Sequence, residues 1–229
     1  MKIAILGAMK EEIAPILAKV ENYKKIRYAN NDFYTATYQG LELVIAYSKI
    51  GKVFAALTAT IMIEKFGCKK LLFSGVAGAI NSNFKIGDLV IATALCQHDL
   101  DITAFGHPFG FVPEGDVCIA TDKNFLDIAR MVASEKNIDL KEGIIATGDQ
   151  FVADEKRKFW IADEFKAHAV EMEGGSVAVV CNALNVPFFI LRAISDSADM
   201  DAGFDFEEFL EESSLISADF LISMLDRLK

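Results

Sequence analysis

The sequence lacks an excess of positive charge. Its 33 aspartates and glutamates outnumber its 23 lysines and arginines, and the formal net charge is −10. Proteins that bind nucleic acids or anionic membranes use basic faces, because these partners are negatively charged. We therefore expect neither nucleic acid nor a membrane as a partner of this chain.

Cysteines are few, and long apolar runs are absent. The four cysteines, Cys68, Cys96, Cys118 and Cys181, form no CxxC pair and have no histidine at the spacing of a metal site. Free thiols are the expected state of such cysteines, rather than disulfides or zinc ligands. The first apolar run is too short for a signal peptide, and no run approaches the roughly 20 residues of a membrane span. These features predict a soluble, cytoplasmic protein.

No segment of the chain resembles a linker. It has 4 prolines, its glycines do not cluster, and no internal repeat is visible. Hydrophobic residues make up 52% of the chain and charged residues 24%, which is typical of a protein with a full core. A chain of 229 residues fits one large domain or two small ones. Without a linker, we predict a single domain over residues 1–229.

Short apolar segments rich in β-branched residues alternate with segments of helical spacing. The predicted strands are Ile3–Leu6, Phe33–Tyr38, Leu41–Tyr47, Lys70–Ser74, Asp88–Thr93, Gly143–Thr147, Ala167–Val170 and Phe188–Ile194. The predicted helices are Glu11–Val20, Val53–Phe66, Asn124–Glu135, Lys156–Glu164, Gly174–Leu184 and Phe206–Leu228. This alternation indicates an α/β layered fold with a largely parallel central sheet. The hairpin expected around Gln39 and Gly40 makes the sheet mixed.

The first strand is not followed by a complete dinucleotide-binding motif. The stretch GAMKEE has only the first glycine of GxGxxG, and Glu11 and Glu12 stand where a phosphate would be repelled. A dinucleotide fold is therefore not expected. The strand Lys70–Ser74 runs into SGVAGA, which we predict to be a turn of small residues that lets the backbone approach a ligand closely.

Carboxylates follow several of the predicted strands. Glu12 follows the first strand, Glu171 and Glu173 follow the seventh, and Asp196 follows the eighth. Each of them alone could be a residue favoured at the start of a helix. Because ligands in such sheets bind at the carboxyl ends of the strands, we expect the three junctions to converge. An acidic cluster without metal-ligand histidines suits a hydroxyl-rich substrate or a cationic transition state, and glycoside cleavage has both.

The stretch AVEMEGGSVAVV, residues 169–180, places two of these acids in an otherwise apolar context. An unpaired buried charge costs several kcal/mol. Glu171 and Glu173 should therefore have dedicated partners, which could be an arginine, a metal, helix N–H groups or a ligand that donates hydrogen bonds.

Seven motifs occur in order along essentially the whole chain: GAMKEEI, SKIGKV, SGVAGA, DITAFGH, GDQFV, AVEMEG and RAISDSAD. Together they resemble the motifs of the bacterial 5′-methylthioadenosine/S-adenosylhomocysteine nucleosidases. Within that family the chain is most similar to the branch that also cleaves 6-amino-6-deoxyfutalosine. The resemblance implies a three-layer α/β fold like that of nucleoside phosphorylases. It also implies hydrolysis of the N-glycosidic bond of an adenine nucleoside, by a homodimer, with no cofactor and no metal.

The resemblance implies catalytic roles for two acids. Glu12 matches the general base that activates the attacking water, and Asp196 matches the acid that protonates or hydrogen-bonds adenine N7. Phe151 matches the ring that stacks on adenine, and Val152 supplies backbone contacts to the base edge.

The acids of AVEMEG and their neighbours receive binding and supporting roles from the same resemblance. Met172 packs near the ribose, and Glu173 binds the ribose hydroxyls, which keep it ionised together with the N-terminus of the helix that follows. Phe206 closes the pocket. Glu171 is a supporting carboxylate, and Arg192 is its expected partner.

Other implied contacts come from two chains. In this chain the remaining substrate-binding residues are Met9, Val76, Ala77 and Gly78. The 5′-alkylthio pocket of the neighbouring subunit is expected to be lined in part by Phe105, His107 and Pro113 of this chain. His107 stands where the family usually has an aromatic residue such as tyrosine, and it would make that pocket more polar.

Two other functions stay open at this point. A purine nucleoside phosphorylase would share the fold but would need cations at a phosphate site, and Phe73 and Val76 stand where such enzymes tend to carry Arg and Ser. A non-catalytic nucleoside-binding or phosphate-receiver-like module is the second alternative. A receiver would use its acids to hold magnesium, so turnover without added metal separates it from a nucleosidase.

Overall fold

The structure, a computed structural model of the chain, describes residues 1–20, 22–198 and 202–228. Ten strands in these ranges form one mixed sheet. They are β1 (Lys2–Gly7), β2 (Lys24–Tyr28), β3 (Asn31–Tyr38), β4 (Leu41–Tyr47), β5 (Lys70–Ala79), β6 (Leu89–Gln97), β7 (Cys118–Ala120), β8 (Lys141–Thr147), β9 (Ala167–Glu171) and β10 (Phe188–Asp196). The helices are α1 (Lys10–Lys19), α2 (Lys52–Thr60, continued by the π-helical segment Ile61–Lys65), α3 (Lys123–Lys136), α4 (Glu155–Phe165), α5 (Gly174–Ala183) and α6 (Ala202–Leu225). None of the helices in the described ranges is both long and apolar enough to cross a membrane.

Helices cover both faces of the sheet, because the central strands are apolar on both sides. On β1, Ala4 and Leu6 pack in a buried cluster with residues of α2 and α5. Ile3 and Ile5 point to the other face, where they pack in a cluster with residues of α1, α3 and α6. Burial on both faces is typical of the strands in a parallel α/β sheet. The predicted three-layer α/β fold with a mixed sheet is confirmed.

Strand directions bring several carboxyl ends to one place. β1 is parallel to its neighbours β4 and β5, and β10 is parallel to β5. β9 runs antiparallel to β5, but the two strands pair where both end, with Gly78 opposite Val170. Asp196, the last residue of β10, also pairs with Gly78. The ends of β5, β9 and β10 therefore meet although β9 points the other way.

The stretch SGVAGA is the second half of β5, and the prediction of a turn there was wrong. Its small residues hide the alternation that identifies a strand. The glycines leave space for two carboxylates. A Cβ atom on Gly75 would lie 2.6 Å from Glu12 Oε1, and one on Gly78 would lie 2.6 Å from Asp196 Oδ1. Glycine inside a strand commonly marks such a close approach.

Two strands of the sheet were not predicted. β2, with the sequence KKIRY, is exposed along its whole length and pairs with β3. β7 has three residues and pairs with β6. Neither has the buried apolar alternation from which strands are recognised.

Candidate active site

A cavity of about 310 Å³ opens where β1, β5, β9 and β10 end. Four buried carboxylates are among its lining residues: Glu12, Glu171, Glu173 and Asp196. They come from the three strand–helix junctions that the sequence suggested would converge, and the structure brings these junctions together.

Glu12 lies in the first turn of α1 and is 2% exposed. Its Oε2 accepts hydrogen bonds from the backbone N–H groups of Ala8 (2.5 Å) and Met9 (3.0 Å), and its Oε1 accepts one from Val76 N–H (3.1 Å). Burial raises the pKa of the Glu12 carboxyl, against the opposing effects of the Arg192 charge and the three N–H groups. The carboxyl is therefore held in one orientation and takes up a proton more readily than an exposed glutamate.

Asp196 ends β10 and is 3% exposed. Its Oδ2 accepts a hydrogen bond from the Ser195 hydroxyl at 2.9 Å, and its Oδ1 accepts one from Ala198 N–H at 2.8 Å. The side chain lies against Gly78, whose missing Cβ leaves it room. The close fit places the carboxyl on the same cavity as Glu12.

Glu171 has hydrogen-bond partners inside the protein on both of its carboxylate oxygens. Its Oε2 accepts hydrogen bonds from Arg192 Nη2 (2.7 Å), Gly174 N–H (2.7 Å) and Glu173 N–H (3.2 Å). Its Oε1 accepts a hydrogen bond from the Thr147 hydroxyl. Arg192 is 1% exposed and also lies over the ring of Phe73. The partners of Glu171 thus include the expected arginine, the N-terminus of α5 and the Thr147 hydroxyl.

The side chain of Glu173, the N-cap residue of α5, makes no hydrogen bond to the N-terminus of this helix, contrary to our expectation. The Glu171 carboxylate accepts from the Gly174 N–H group there instead. The Glu173 Oε1 instead accepts a hydrogen bond from Gly51 N–H at the start of α2, at 2.7 Å. Burial raises the pKa of Glu173 to about 8, and the negative charge of Glu171 acts in the same direction. Gly51 N–H opposes this rise by favouring the ionised form.

Apolar side chains complete the cavity. All the substrate-binding residues expected from this chain line it: Met9, Val76, Ala77, Gly78, Phe151, Val152, Met172, Glu173 and Phe206. Phe151 and Phe206 meet edge to face, with ring centroids 5.8 Å apart, and Phe151 is 48% exposed. These two rings form one side of the cavity entrance.

The motif order and the fold agree with those of a known protein family. The family model of the phosphorylase superfamily matches residues 2–226. The chain belongs to the phosphorylase superfamily. Within the superfamily it has close relatives that are named nucleosidases, and the family predicted from the motifs is confirmed.

Three relatives illustrate the match. The chain is 58% identical over 228 residues to a protein of Campylobacter jejuni named aminodeoxyfutalosine nucleosidase, with 100% of both chains covered. It is 38% identical over 230 residues to a 5′-methylthioadenosine/S-adenosylhomocysteine nucleosidase of Anoxybacillus flavithermus, covering 100% of this chain and 99% of the relative. It also matches the crystal structure of a Helicobacter pylori nucleosidase mutant with 5′-methylthioadenosine in the active site. That match has a TM-score of 0.97 and 52% identity, and it covers 99% of this chain and 98% of the other.

Three expected site residues of this superfamily member lie away from its cavity. Phe105, His107 and Pro113 are on the segment between β6 and β7, and none of them is among the residues that line the cavity. Phe105 is 81% exposed, and the ring of His107 stacks on Phe111 with centroids 4.5 Å apart. Their contribution to a neighbouring subunit stays a prediction.

Some cavity residues were missed by the sequence reasoning. They are Ala8, Ile50, Gln150, Val170 and Ser195. Each is a neighbour in sequence of a predicted site residue or part of a quoted motif, so the motifs contained the signal. Thr147, whose hydroxyl donates a hydrogen bond to Glu171, was not indicated as a site residue by any sequence pattern. Within the described ranges, no group of three or more His, Cys, Asp or Glu side chains is arranged to hold a metal ion.

Proposed function

We propose that this protein hydrolyses the N-glycosidic bond of 5′-substituted adenine nucleosides and releases adenine and the 5-substituted ribose. The nucleosidase relatives support a nucleoside N-glycosyl hydrolase over the two alternatives. The observation that carries the proposal is the convergence of Glu12, Glu173 and Asp196 on one largely apolar cavity. Residues 1–229 act as one nucleosidase domain, and the reaction needs no cofactor.

Asp196 is the proposed general acid. Adenine leaves poorly as an anion, and a proton at N7 lets it leave neutral and draws electrons from the ribosyl ring. The hydrogen bonds from the Ser195 hydroxyl and Ala198 N–H hold the Asp196 carboxyl in place on the cavity, where it can deliver a proton to the base. Phe151 stacks on the adenine, and Val152 provides backbone contacts to its edge.

Glu12 is the proposed general base. Its raised pKa suits a group that takes a proton from water, and its three backbone N–H contacts fix the direction in which it can do so. The water attacks C1′ from the face opposite the departing adenine.

Glu173 is proposed to bind the ribose hydroxyls, with Met172 packed beside the sugar. As the C1′–N9 bond lengthens, the ribose becomes cationic, and the nearby carboxylates stabilise this state more than the ground state. An acid–base group contributes about 10²–10⁴ in rate. Glu12 and Asp196 therefore supply a large part of the acceleration.

The surroundings of Val76 favour hydrolysis over phosphorolysis. The Val76 N–H group, which faces the cavity and could bind an anion, donates its hydrogen bond to Glu12. The nearby cation, Arg192, is buried and paired with Glu171. A phosphate would therefore meet carboxylates rather than free donors in this part of the site.

The active form is proposed to be a homodimer. On α2 the side chains of Val53, Phe54 and Leu57 are 75%, 45% and 47% exposed, and they follow Ile50, which lines the cavity. Such an exposed apolar patch beside a site is typical of an interface. A partner on this surface would bring its own Phe105, His107 and Pro113 to the cavity entrance, and Met9 and Phe206 would complete the 5′ pocket.

The 5′ pocket should accept substrates of different size. Its lining is mostly apolar, and apolar contacts discriminate by only ~1–3 kcal/mol per methylene. His107 can donate a hydrogen bond to a carboxylate. We therefore expect cleavage of 5′-methylthioadenosine, S-adenosylhomocysteine, 5′-deoxyadenosine and 6-amino-6-deoxyfutalosine.

One assay tests the proposal. Adenine release is measured from the four nucleosides, with and without phosphate, and at protein concentrations that span dimer dissociation. We expect release without phosphate and free 5-substituted ribose as the second product. Ribose 1-phosphate or a strict phosphate requirement would contradict hydrolysis, and a fully active monomer would contradict the shared site.

A further inference from the structure

Two segments that line the cavity are tied to each other and to the end of β6 by charged residues that do not line it. The two segments are the start of α2 with Ile50 and the loop after β8 with Gln150 and Phe151. Lys52 and Asp149 belong to these two segments, and Asp99 follows β6.

The contacts among these three residues form a closed ring. Lys52 Nζ donates to Asp99 Oδ1 at 2.6 Å, and Asp99 Oδ2 accepts from Asp149 N–H at 2.8 Å. Asp149 Oδ1 in turn accepts from the backbone N–H of Lys52 at 2.8 Å. Gln97 Oε1 gives Lys52 Nζ a further acceptor at 3.1 Å. Each segment is therefore held to the other and to the end of β6.

This ion pair differs from the surface pairs of the molecule. The side chains of Lys52 and Asp99 are 18% and 16% exposed, against 45% and 59% for the Lys19–Asp219 pair. Exposed pairs contribute little, because solvent screens them and the side chains lose entropy. The pKa of Asp99 is lowered although burial acts to raise it, because the hydrogen bonds from Lys52 and Asp149 N–H favour the ionised form.

The ring is connected to the reacting part of the site by one peptide unit. Gly51, directly before Lys52, donates its N–H to Glu173 Oε1 at 2.7 Å. Gly51 has φ +100°, and a Cβ there would lie 3.0 Å from Asp149 Oδ1. The direction of the Gly51 N–H bond therefore depends on how Lys52 and Asp149 are held.

We propose that Lys52, Asp99 and Asp149 form a positioning network, which orients the Gly51 N–H group toward Glu173 and holds the loop that carries Phe151. These residues act through Gly51 and Phe151 and do not touch the substrate. The measurement of kcat/KM that tests this network rests on the proposed nucleosidase function, whereas the measurement of hydrogen exchange at Gly51 does not.

Asparagine substitutions test the network, because the two aspartates use their oxygens differently. Each oxygen of Asp99 accepts one hydrogen bond, from Lys52 Nζ or from Asp149 N–H. Asp99→Asn replaces one of these acceptors with an NH₂ group, which cannot accept a hydrogen bond from the donor that it faces. We expect kcat/KM to fall about 10–100-fold, since a displacement near 1 Å in a site costs up to ~10²-fold. Asp149→Asn keeps the oxygen that Lys52 N–H needs and should stay close to wild type. A role that depends on negative charge alone would affect both variants equally.

Further variants complete the set. Lys52→Met removes the cationic partner of Asp99. If the two residues act as a unit, kcat/KM of the Asp99→Asn/Lys52→Met double variant should fall no further than that of the worse single variant. Asp219→Asn breaks the surface pair with Lys19 and should leave kcat/KM unchanged. Unfolding temperatures are measured for all variants to separate lost positioning from lost folding.

Hydrogen exchange supplies a measurement that does not need turnover. In Asp99→Asn the amide of Gly51, which has no contact with Asp99, should exchange faster than in wild type and in Asp219→Asn. Unchanged exchange at Gly51, or unchanged kcat/KM in a folded Asp99→Asn enzyme, would overturn the network. A wild-type protein that cleaves none of the four nucleosides contradicts the proposed function instead, and exchange at Gly51 then decides the network alone.

Discussion

At the floor of the cavity, Glu12 and Glu171 are buried and accept hydrogen bonds from backbone N–H groups of this chain. At its mouth, Phe151 and Phe206 meet edge to face, and Phe151 stays half exposed. The floor is built from strand ends and helix starts, whose backbone leaves little freedom to the carboxylates. The mouth consists of side chains beside an exposed apolar patch. We infer that the floor determines the chemistry and the mouth determines which nucleosides enter.

Glu171 and Glu173 show a similar contrast within one tripeptide. Glu171 has partners on both oxygens, and these include Arg192 and the N-terminus of α5. Glu173 accepts a hydrogen bond from Gly51 N–H on Oε1, and its second oxygen can form a hydrogen bond with a ligand. The first carboxylate is therefore paired within the protein, and the second is the one that we propose to bind substrate.

Replacing the carboxylates proposed as general acid and general base, Asp196 and Glu12, should have the largest effect on activity. We expect Asp196→Asn and Glu12→Gln each to lower kcat by about 10²–10⁴-fold, because each change removes one acid–base group. Adenine release at saturating substrate measures the loss, and thermal unfolding checks that the fold is intact. Glu11→Gln, at the exposed neighbouring position, is the control and should keep full activity. Near-normal turnover of Asp196→Asn would remove Asp196 from the acid role.

A smaller loss of activity is expected when an added methyl group displaces the Asp196 carboxylate than when a catalytic carboxylate is removed. In Gly78→Ala the new methyl group would lie 2.6 Å from Asp196 Oδ1 and must displace the carboxylate. We expect kcat to fall about 10–100-fold, and the free energy of unfolding to drop by about 1–3 kcal/mol, which is typical of overpacking.

Gly203→Ala is the matched control for this change, because a Cβ at Gly203 meets no atom of the described residues within 4 Å beyond its own helix backbone and chain neighbours. Denaturant unfolding and steady-state kinetics of the two variants give the comparison. Equal behaviour of Gly78→Ala and Gly203→Ala would show that the space over β5 is not needed.

The protonation of Glu173 gives a prediction for stability. Its pKa is raised from 4.5 to about 8, so the folded state holds the proton more tightly than the unfolded state. The contribution of Glu173 is therefore fully present below about 4.5 and is lost as the pH rises through about 8. The unfolding temperature of the free enzyme should fall over this window, and less steeply in Glu173→Gln. The same slope in both proteins would contradict the raised pKa.

At the mouth we expect the mildest effect. Phe206→Ala removes the edge-to-face contact with Phe151, and such contacts are worth about 0.5–1.5 kcal/mol. We expect KM to rise by up to about tenfold with kcat little changed. Phe204→Ala, which removes a ring that is 71% exposed and does not line the cavity, should leave KM unchanged. A loss of kcat in Phe206→Ala as large as that in Asp196→Asn would erase the distinction between floor and mouth.

Several features of the molecule followed from local sequence patterns. The alternation of short apolar strands with helical segments predicted the α/β layers, because burial on a period of two or 3.6 residues is encoded by neighbours in the chain. The positions of Glu12, Glu173 and Asp196 after strands predicted that acids meet at one end of the sheet. The motifs around them predicted the family.

Other features depend on residues far apart in the chain, and only the tertiary structure decided them. Whether Glu171 or Glu173 would take the N-terminus of α5 is not visible in AVEMEG, because the choice depends on Arg192 and on Gly51, the latter 122 positions from Glu173. SGVAGA became a strand because β10 and β9 pair with it and because Glu12 and Asp196 fill the space above its glycines. Local sequence thus determined the α/β layers and the chemical groups that they carry, whereas long-range packing decided that SGVAGA is a strand and which donor each buried carboxylate meets.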